Sequence, residues 1–168
     1  LPSPEKAQVI MAAFDNVQTA GDAVGGVIAK GIIPAGLEMM DSPAIIAAEA
    51  FAHAGYPIDA QALLLCELDG SEAEVQEQIA EVEQLFIELG ATTTRVSQSE
   101  AERALLWKGR KSAFPAVGRI SPDYYCMDGT IPRSQLAHVL TEMQKLSDEY
   151  GLRVANVFHA GDGNLHPL

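Results

Sequence analysis

Apolar positions along the chain fall into two rhythms. Residues 8–14 and 62–68 are short, nearly unbroken apolar runs, and residues 92–97 are rich in β-branched side chains; each run predicts a strand. Between the first two, Val17, Ala20, Val24, Val27 and Ile28 recur at helical spacing behind Asp15-Asn16, and Gly31 closes that helix. Residues 32–40 read as a second strand, made irregular by Pro34 and Gly36, and Ser42-Pro43 starts a helix over 44–54. Ser71 and Glu74 have the spacing of a capping box. Val75, Ile79, Val82, Leu85, Phe86 and Leu89 then line one helix face as far as Gly90. Glu74, Glu77, Glu81 and Glu88 take the opposite face, the pattern of a solvated helix.

This order, βαβ(α)βαβ, is that of a ferredoxin-like split βαβ unit, complete within residues 1–97. A helix over 99–111 follows, then an irregular run through Phe114-Pro115 and Ser121-Pro122, then a short strand at 127–131. Pro132-Arg133-Ser134 opens another helix, with Leu136, Val139, Leu140, Met143 and Leu146 on its buried side and Gly151 beyond it. A strand at 153–158 ends the pattern. The expectation is an α+β fold with an antiparallel sheet and helices on one face. Residues 98–168 would hold a linking helix and an incomplete second subdomain. The missing initiator Met and the unfinished second pattern read as a piece of a longer protein, whose open sheet edge predicts homodimerisation or local disorder.

Charge narrows the function. Lys and Arg number 11 against 23 Asp and Glu, a net charge of −12, which argues against nucleic acid and anionic lipid as partners. Against that background Trp107, Lys108, Arg110, Lys111 and Arg119 form a local basic cluster suited to a small anionic substrate. Cys66 and Cys126 are far apart and lack CxxC spacing, so they read as reduced thiols of a cytoplasmic protein. No apolar run approaches the roughly 18 residues of a membrane span, and no signal peptide opens the chain.

Chemistry concentrates at the end of the last predicted strand. His159 and His166 stand either side of a turn made flexible by Gly161 and Gly163, with Asp162 and Asn164 between them. Two imidazoles beside a carboxylate make most of a transition-metal site; two polar turn residues without a ligand are the alternative. The turn lacks the GxGxxG spacing of a phosphate loop. His53 and His138, on predicted helices, have no such company. Cys126 beside Tyr125 reads as structural rather than nucleophilic. Arg110 shares a helix face with Trp107 and can clamp a carboxylate bidentately, unless it is a surface arginine stacked on that ring.

The run from Val157 through His159, Gly161, Asp162, Gly163, Asn164 and His166 to Pro167 resembles the metal-site motif of the FAD-linked oxidases of the vanillyl-alcohol oxidase superfamily. The blocks 31–41, 66–70 and 109–132 resemble, more narrowly, the FAD-binding subunits of bacterial glycolate oxidases. That resemblance implies a substrate or cap domain of ferredoxin-like architecture, preceded by a domain that binds FAD. The whole enzyme would oxidise a 2-hydroxy acid such as glycolate or D-lactate to the 2-oxo acid. Partner subunits would include an electron-accepting iron–sulfur subunit, and the cytoplasmic enzyme would be peripheral to the inner membrane through them. His159 and His166 would be catalytic and would ligate a divalent metal (zinc, manganese or iron), while Arg110 and Asn164 would bind substrate. A third ligand, a glutamate in a downstream Glu-His-Gly motif, would lie beyond Leu168, so the piece alone would be inactive. The rival reading is a stand-alone ferredoxin-like module that binds a small ligand or mediates assembly.

Overall fold

The computed structural model describes residues 4–168. It has seven strands: β1 (Lys6–Phe14), β2 (Gly36–Asp41), β3 (Ala62–Gly70), β4 (Ala91–Val96), β5 (Gly129–Thr130), β6 (Asn156–His159) and β7 (Asn164–Pro167). The helices are α1 (Val17–Ala29), α2 (Ser42–Ala52), α3 (Glu72–Glu88), α4 (Glu100–Lys111), α5 (Ala113–Ile120) and α6 (Leu136–Tyr150). Their ends follow local chemistry. Asn16, Asp41, Ser71 and Ser99 each accept a hydrogen bond from a backbone N–H of the following first turn, and Ser71 and Glu74 complete a reciprocal capping box.

All pairings are antiparallel, and the strands form one sheet in the order β4-β1-β3-β2-β6-β7-β5. Its first four strands have the ferredoxin-like arrangement expected from the sequence. The later strands do not start a separate sheet: β6 pairs with β2, so Glu38 lies opposite His159 and Met40 opposite Val157.

The helices cover both faces of the sheet, where one covered face was expected. One core joins Ile10, Phe14, Leu64 and Phe158 to α1, α3 and α6; the other joins Val9, Met11, Leu63, Leu65 and Val157 to α2, α4 and α5. The reason lies in β1 and β3. Successive strand side chains point to opposite faces, so apolar runs without alternation need a cover on each side. The helix α2, inserted between β2 and β3, supplies part of the second cover.

Two further elements differ from expectation. The stretch after α4 is not irregular but holds α5, in which Pro115 sits in the first turn, where its missing N–H breaks no helical bond. The end of the chain is not an open turn but the β6–β7 hairpin, with His166 inside its second strand.

Candidate active site

The β6–β7 hairpin and the adjoining strand β2 bring the chemistry together. His159 pairs with Glu38 on one side and Asn164 on the other, while His166 pairs with Val157. Because pleat parity puts directly opposed residues on the same face, Glu38, His159, His166 and Asn164 all belong to the face covered by α4 and α5. The two imidazole rings meet edge to face with centroids 5.2 Å apart. His166 is the more enclosed of the two, its ring 6.1 Å from Phe114, and its Nδ1 lies 3.9 Å from Asp128, beyond hydrogen-bond range.

Arg110 enters from α4, and it is not a surface residue stacked on Trp107. Its side chain is buried, and Nη2 donates to Glu38 Oε2 at 2.7 Å and to the Phe158 carbonyl at 3.3 Å. Burial lowers the guanidinium's pKa, and the neighbouring Glu38 carboxylate opposes that shift; an arginine stays charged throughout. Trp107 turns elsewhere: its indole N–H donates to Glu67, which also takes Arg103 at 2.7 Å. The basic cluster read from the sequence is therefore divided. Lys108, Lys111 and Trp107 line an outer groove with Arg103, Arg119 lies over the Phe51 ring, and Arg110 faces inward.

Glu38 is the site residue that sequence reasoning missed. Its Oε1 lies 2.8 Å from His159 Nδ1, so one carboxylate joins the arginine to the histidine. The signal was present: β2 reads Gly-Leu-Glu-Met-Met-Asp, and a carboxylate in the middle of a buried strand needs a partner. Beside this group opens a cleft of about 480 Å³. Ile32 and Ile33 form an apolar wall, and Glu38, Arg133, His159 and Asp162 supply its polar lining. Arg133 Nη1 also donates to the Gly161 carbonyl at 2.9 Å and so braces the hairpin turn.

Two buried polar atoms near this group have no partner among the described residues: Arg110 Nε, a donor, and Asn164 Oδ1, an acceptor. No three His, Cys, Asp or Glu side chains among the described residues converge as a metal site. Cys66 is buried in the core, which pushes its thiol up to about 12 and leaves it inert at neutral pH. No helix among the described residues is long and apolar enough to cross a membrane.

Residues 3–168 match the family described as "FAD linked oxidases, C-terminal domain". The chain belongs to that family. It is 64% identical over 168 residues to the glycolate oxidase subunit GlcD of Escherichia coli (strain K12), covering 100% of this chain and 34% of that protein. Identity to the Bacillus subtilis GlcD is 34% over 167 residues, with 99% and 36% of the two chains covered. A probable mitochondrial D-lactate dehydrogenase of Danio rerio is 27% identical over 167 residues, covering 98% of this chain and 33% of that one. The chain thus spans about a third of the length of these curated relatives.

Among solved structures, p-cresol methylhydroxylase with substrate bound has a TM-score of 0.68 at 12% identity, covering 100% of this chain and 39% of that one. An alkyldihydroxyacetonephosphate synthase reaches 0.69 at 11% identity, over 99% of this chain and 36% of its own. At such identities the likeness is one of fold.

Proposed function

We propose that this chain is the cap, or substrate-side, part of a flavin-dependent 2-hydroxy-acid oxidoreductase that converts glycolate or D-lactate to the 2-oxo acid. The observation that carries the reading is the family match, together with identity to a glycolate oxidase subunit along the whole chain. The site chemistry supports it. A 2-hydroxy acid offers a carboxylate and a hydroxyl, and Arg110 and Asn164 hold an unpaired donor and an unpaired acceptor at buried positions. In this reading Arg110 and Asn164 bind the acid, the first its carboxylate and the second its hydroxyl. His159 and His166 are the catalytic pair that would orient the hydroxyl, through the metal they would hold. FAD, bound mainly outside these residues, supplies the hydride acceptor.

A divalent metal (zinc, manganese or iron) belongs to the same reading, with His159 and His166 as two of its ligands. What supports it is the pairing of two imidazoles on one face of the sheet, 5.2 Å apart. Water, substrate or residues outside this chain would complete the shell, since no third protein ligand joins them among the described residues. Partners in this reading are other oxidase subunits, among them an iron–sulfur subunit that takes the electrons and holds the enzyme at the inner membrane. Two copies would pair along β5, whose outer edge has no neighbouring strand among the described residues. Residues 1–97 and 98–168 serve as the two structural halves of the cap.

The test is anaerobic. The protein carrying this chain at its natural length is purified, its flavin spectrum recorded, and glycolate or D-lactate added. Bleaching that is lost in His159→Ala and His166→Ala is expected. A colourless protein that takes up no FAD overturns the reading.

A further inference from the structure

Glu38 touches both Arg110 and His159, and it does so with separate oxygens: Oε2 to Arg110 Nη2 at 2.7 Å and Oε1 to His159 Nδ1 at 2.8 Å. Three elements converge on it. The carboxylate stands on β2, His159 is its cross-strand neighbour on β6, and Arg110 comes down from α4. The carboxylate is largely enclosed, with 12% of its side chain exposed, whereas the His159 side chain is 46% exposed. The glutamate is therefore the anchor and the imidazole the group that would otherwise turn freely.

An ionised carboxylate only accepts hydrogen bonds, so the ring nitrogen beside Oε1 must carry a proton. We infer that Glu38 is a positioning residue: it holds neutral His159 in the tautomer protonated at Nδ1, with the Nε2 lone pair free, and it orients Arg110 with the same carboxylate. This rests on and deepens the proposed function. It makes Nε2 the His159 atom that serves as base or ligand, and it ties that atom's orientation to the arginine's. A hydrogen-bonded partner on the second nitrogen is the general device by which proteins choose an imidazole tautomer.

The substitution Glu38→Gln gives a sharp consequence. An amide keeps one acceptor oxygen, and both neighbours in the native site are donors. Arg110 carries a permanent charge and takes that oxygen. The amide N–H group then faces His159 Nδ1, which can accept only if the imidazole proton moves to Nε2. The variant is nearly the same size as the native residue, yet it reverses the ring.

Histidine-selective 15N NMR on the protein at its natural length, freed of metal with a chelator, reads the tautomer, with His159 assigned by the loss of its signals in His159→Gln. Spectra are recorded at rising pH until the ring signals stop moving, so that the neutral ring is read. The expected result is an Nδ1-protonated His159 in the native protein and an Nε2-protonated one in Glu38→Gln. In Glu38→Ala the two forms are expected to mix. An Nε2-protonated ring in the native protein overturns the inference outright, whether or not the Glu38 variants fold. A tautomer unchanged in Glu38→Gln overturns it as well, even where turnover falls.

In the flavin-loaded protein, Glu38→Gln is expected to lower kcat with glycolate by about 10–100-fold, the usual cost of removing such a supporting partner. The tautomer measurement uses neither flavin nor substrate. A protein that shows the expected tautomers but oxidises no hydroxy acid would refute the proposed function and leave the role of Glu38 standing.

Discussion

Gly109 of α4 packs directly against the ring and hydroxyl of Tyr56, whose O–H donates to the Leu106 carbonyl one turn back on the same helix. A Cβ on Gly109 would clash with the Tyr56 hydroxyl and the ring carbons beside it. This close approach sets how near α4 lies to the loop after α2, and hence how far the adjacent Arg110 reaches towards Glu38. The two effects of Gly109→Ala have opposite sign. Helix propensity favours alanine by about 1 kcal/mol, whereas overpacking costs about 1–3 kcal/mol. The contact should win, giving a lower melting temperature than native and a weakened Arg110–Glu38 pair. A rise in melting temperature would show that α4 shifts at no cost.

Gly163 in the β6–β7 turn has φ +71°, and a Cβ there would run into the Ile131 carbonyl, while the Gly163 carbonyl accepts the Ile131 N–H at 2.9 Å. Gly163→Ala should therefore destabilise by at least about 1–2 kcal/mol from the left-handed backbone alone, and should disturb the His159–His166 pair. Gly161 is the control. Its φ is not positive, and an added Cβ meets only Leu37, its Cβ at 3.4 Å and its carbonyl oxygen at 3.8 Å, so Gly161→Ala should stay within about 0.5 kcal/mol of native. Urea unfolding of the two variants separates turn strain from mere crowding.

Much of this site was legible before any coordinates, and the rest was hidden for identifiable reasons. The capping box at Ser71 and Glu74 and the helical face behind it appear as read. Arg110 and the two histidines, singled out by family motif and residue chemistry, lie close together around Phe158 and Glu38. The hairpin strand β7 was missed because four residues containing Asn, His and Pro carry almost no strand signal; cross-strand pairing with β6 makes it a strand. The helix α5 was missed because Pro115 reads as a breaker unless its place in the first turn is known. Glu38 escaped because its partners lie 72 and 121 residues away in sequence, on elements whose register no local pattern gives.

Arg110 and Glu38 form a pair with 7% and 12% of their side chains exposed. Breaking such a pair from one side leaves an uncompensated buried charge, a loss of about 3–5 kcal/mol. Arg110→Met should therefore unfold at markedly lower urea concentration than native, and adding Glu38→Gln should recover part of that loss. A double variant no better than Arg110→Met would remove the buried charge as the cause. Arg110→Lys keeps the charge but loses the planar fork. In the flavin-loaded protein it should cut turnover sharply while flavin content stays normal; unchanged turnover would take Arg110 out of the substrate site.

Asp41 gives the fold a pH dependence of unusual sign. It caps α2 by accepting from the Ala44 N–H at 3.2 Å, and it accepts from Asn156 Nδ2 at 2.7 Å. Burial outweighs those bonds and pushes its carboxyl from 3.8 up to about 6. With the native pKa above the unfolded one, the folded protein takes up the proton first as pH falls. Stability contributed by this group is thus greatest below about pH 4, drops as pH rises from there to about 6, and stays at the lower level above that. Asp41 borders a separate cleft that Asp15 and Asp148 also line, with Lys145 as its one lysine or arginine among the described residues. Asp41→Asn should retain the cap, since asparagine serves there as well as aspartate. Its amide nitrogen replaces the oxygen that faces Asn156 Nδ2, and it can donate to Asn156 Oδ1 once the Asn156 amide turns over. The variant should melt above native at about pH 8, with the difference shrinking towards about pH 4. Melting temperatures across that range decide it: a constant offset between the two proteins would mean that ionisation of Asp41 is not what the fold resists.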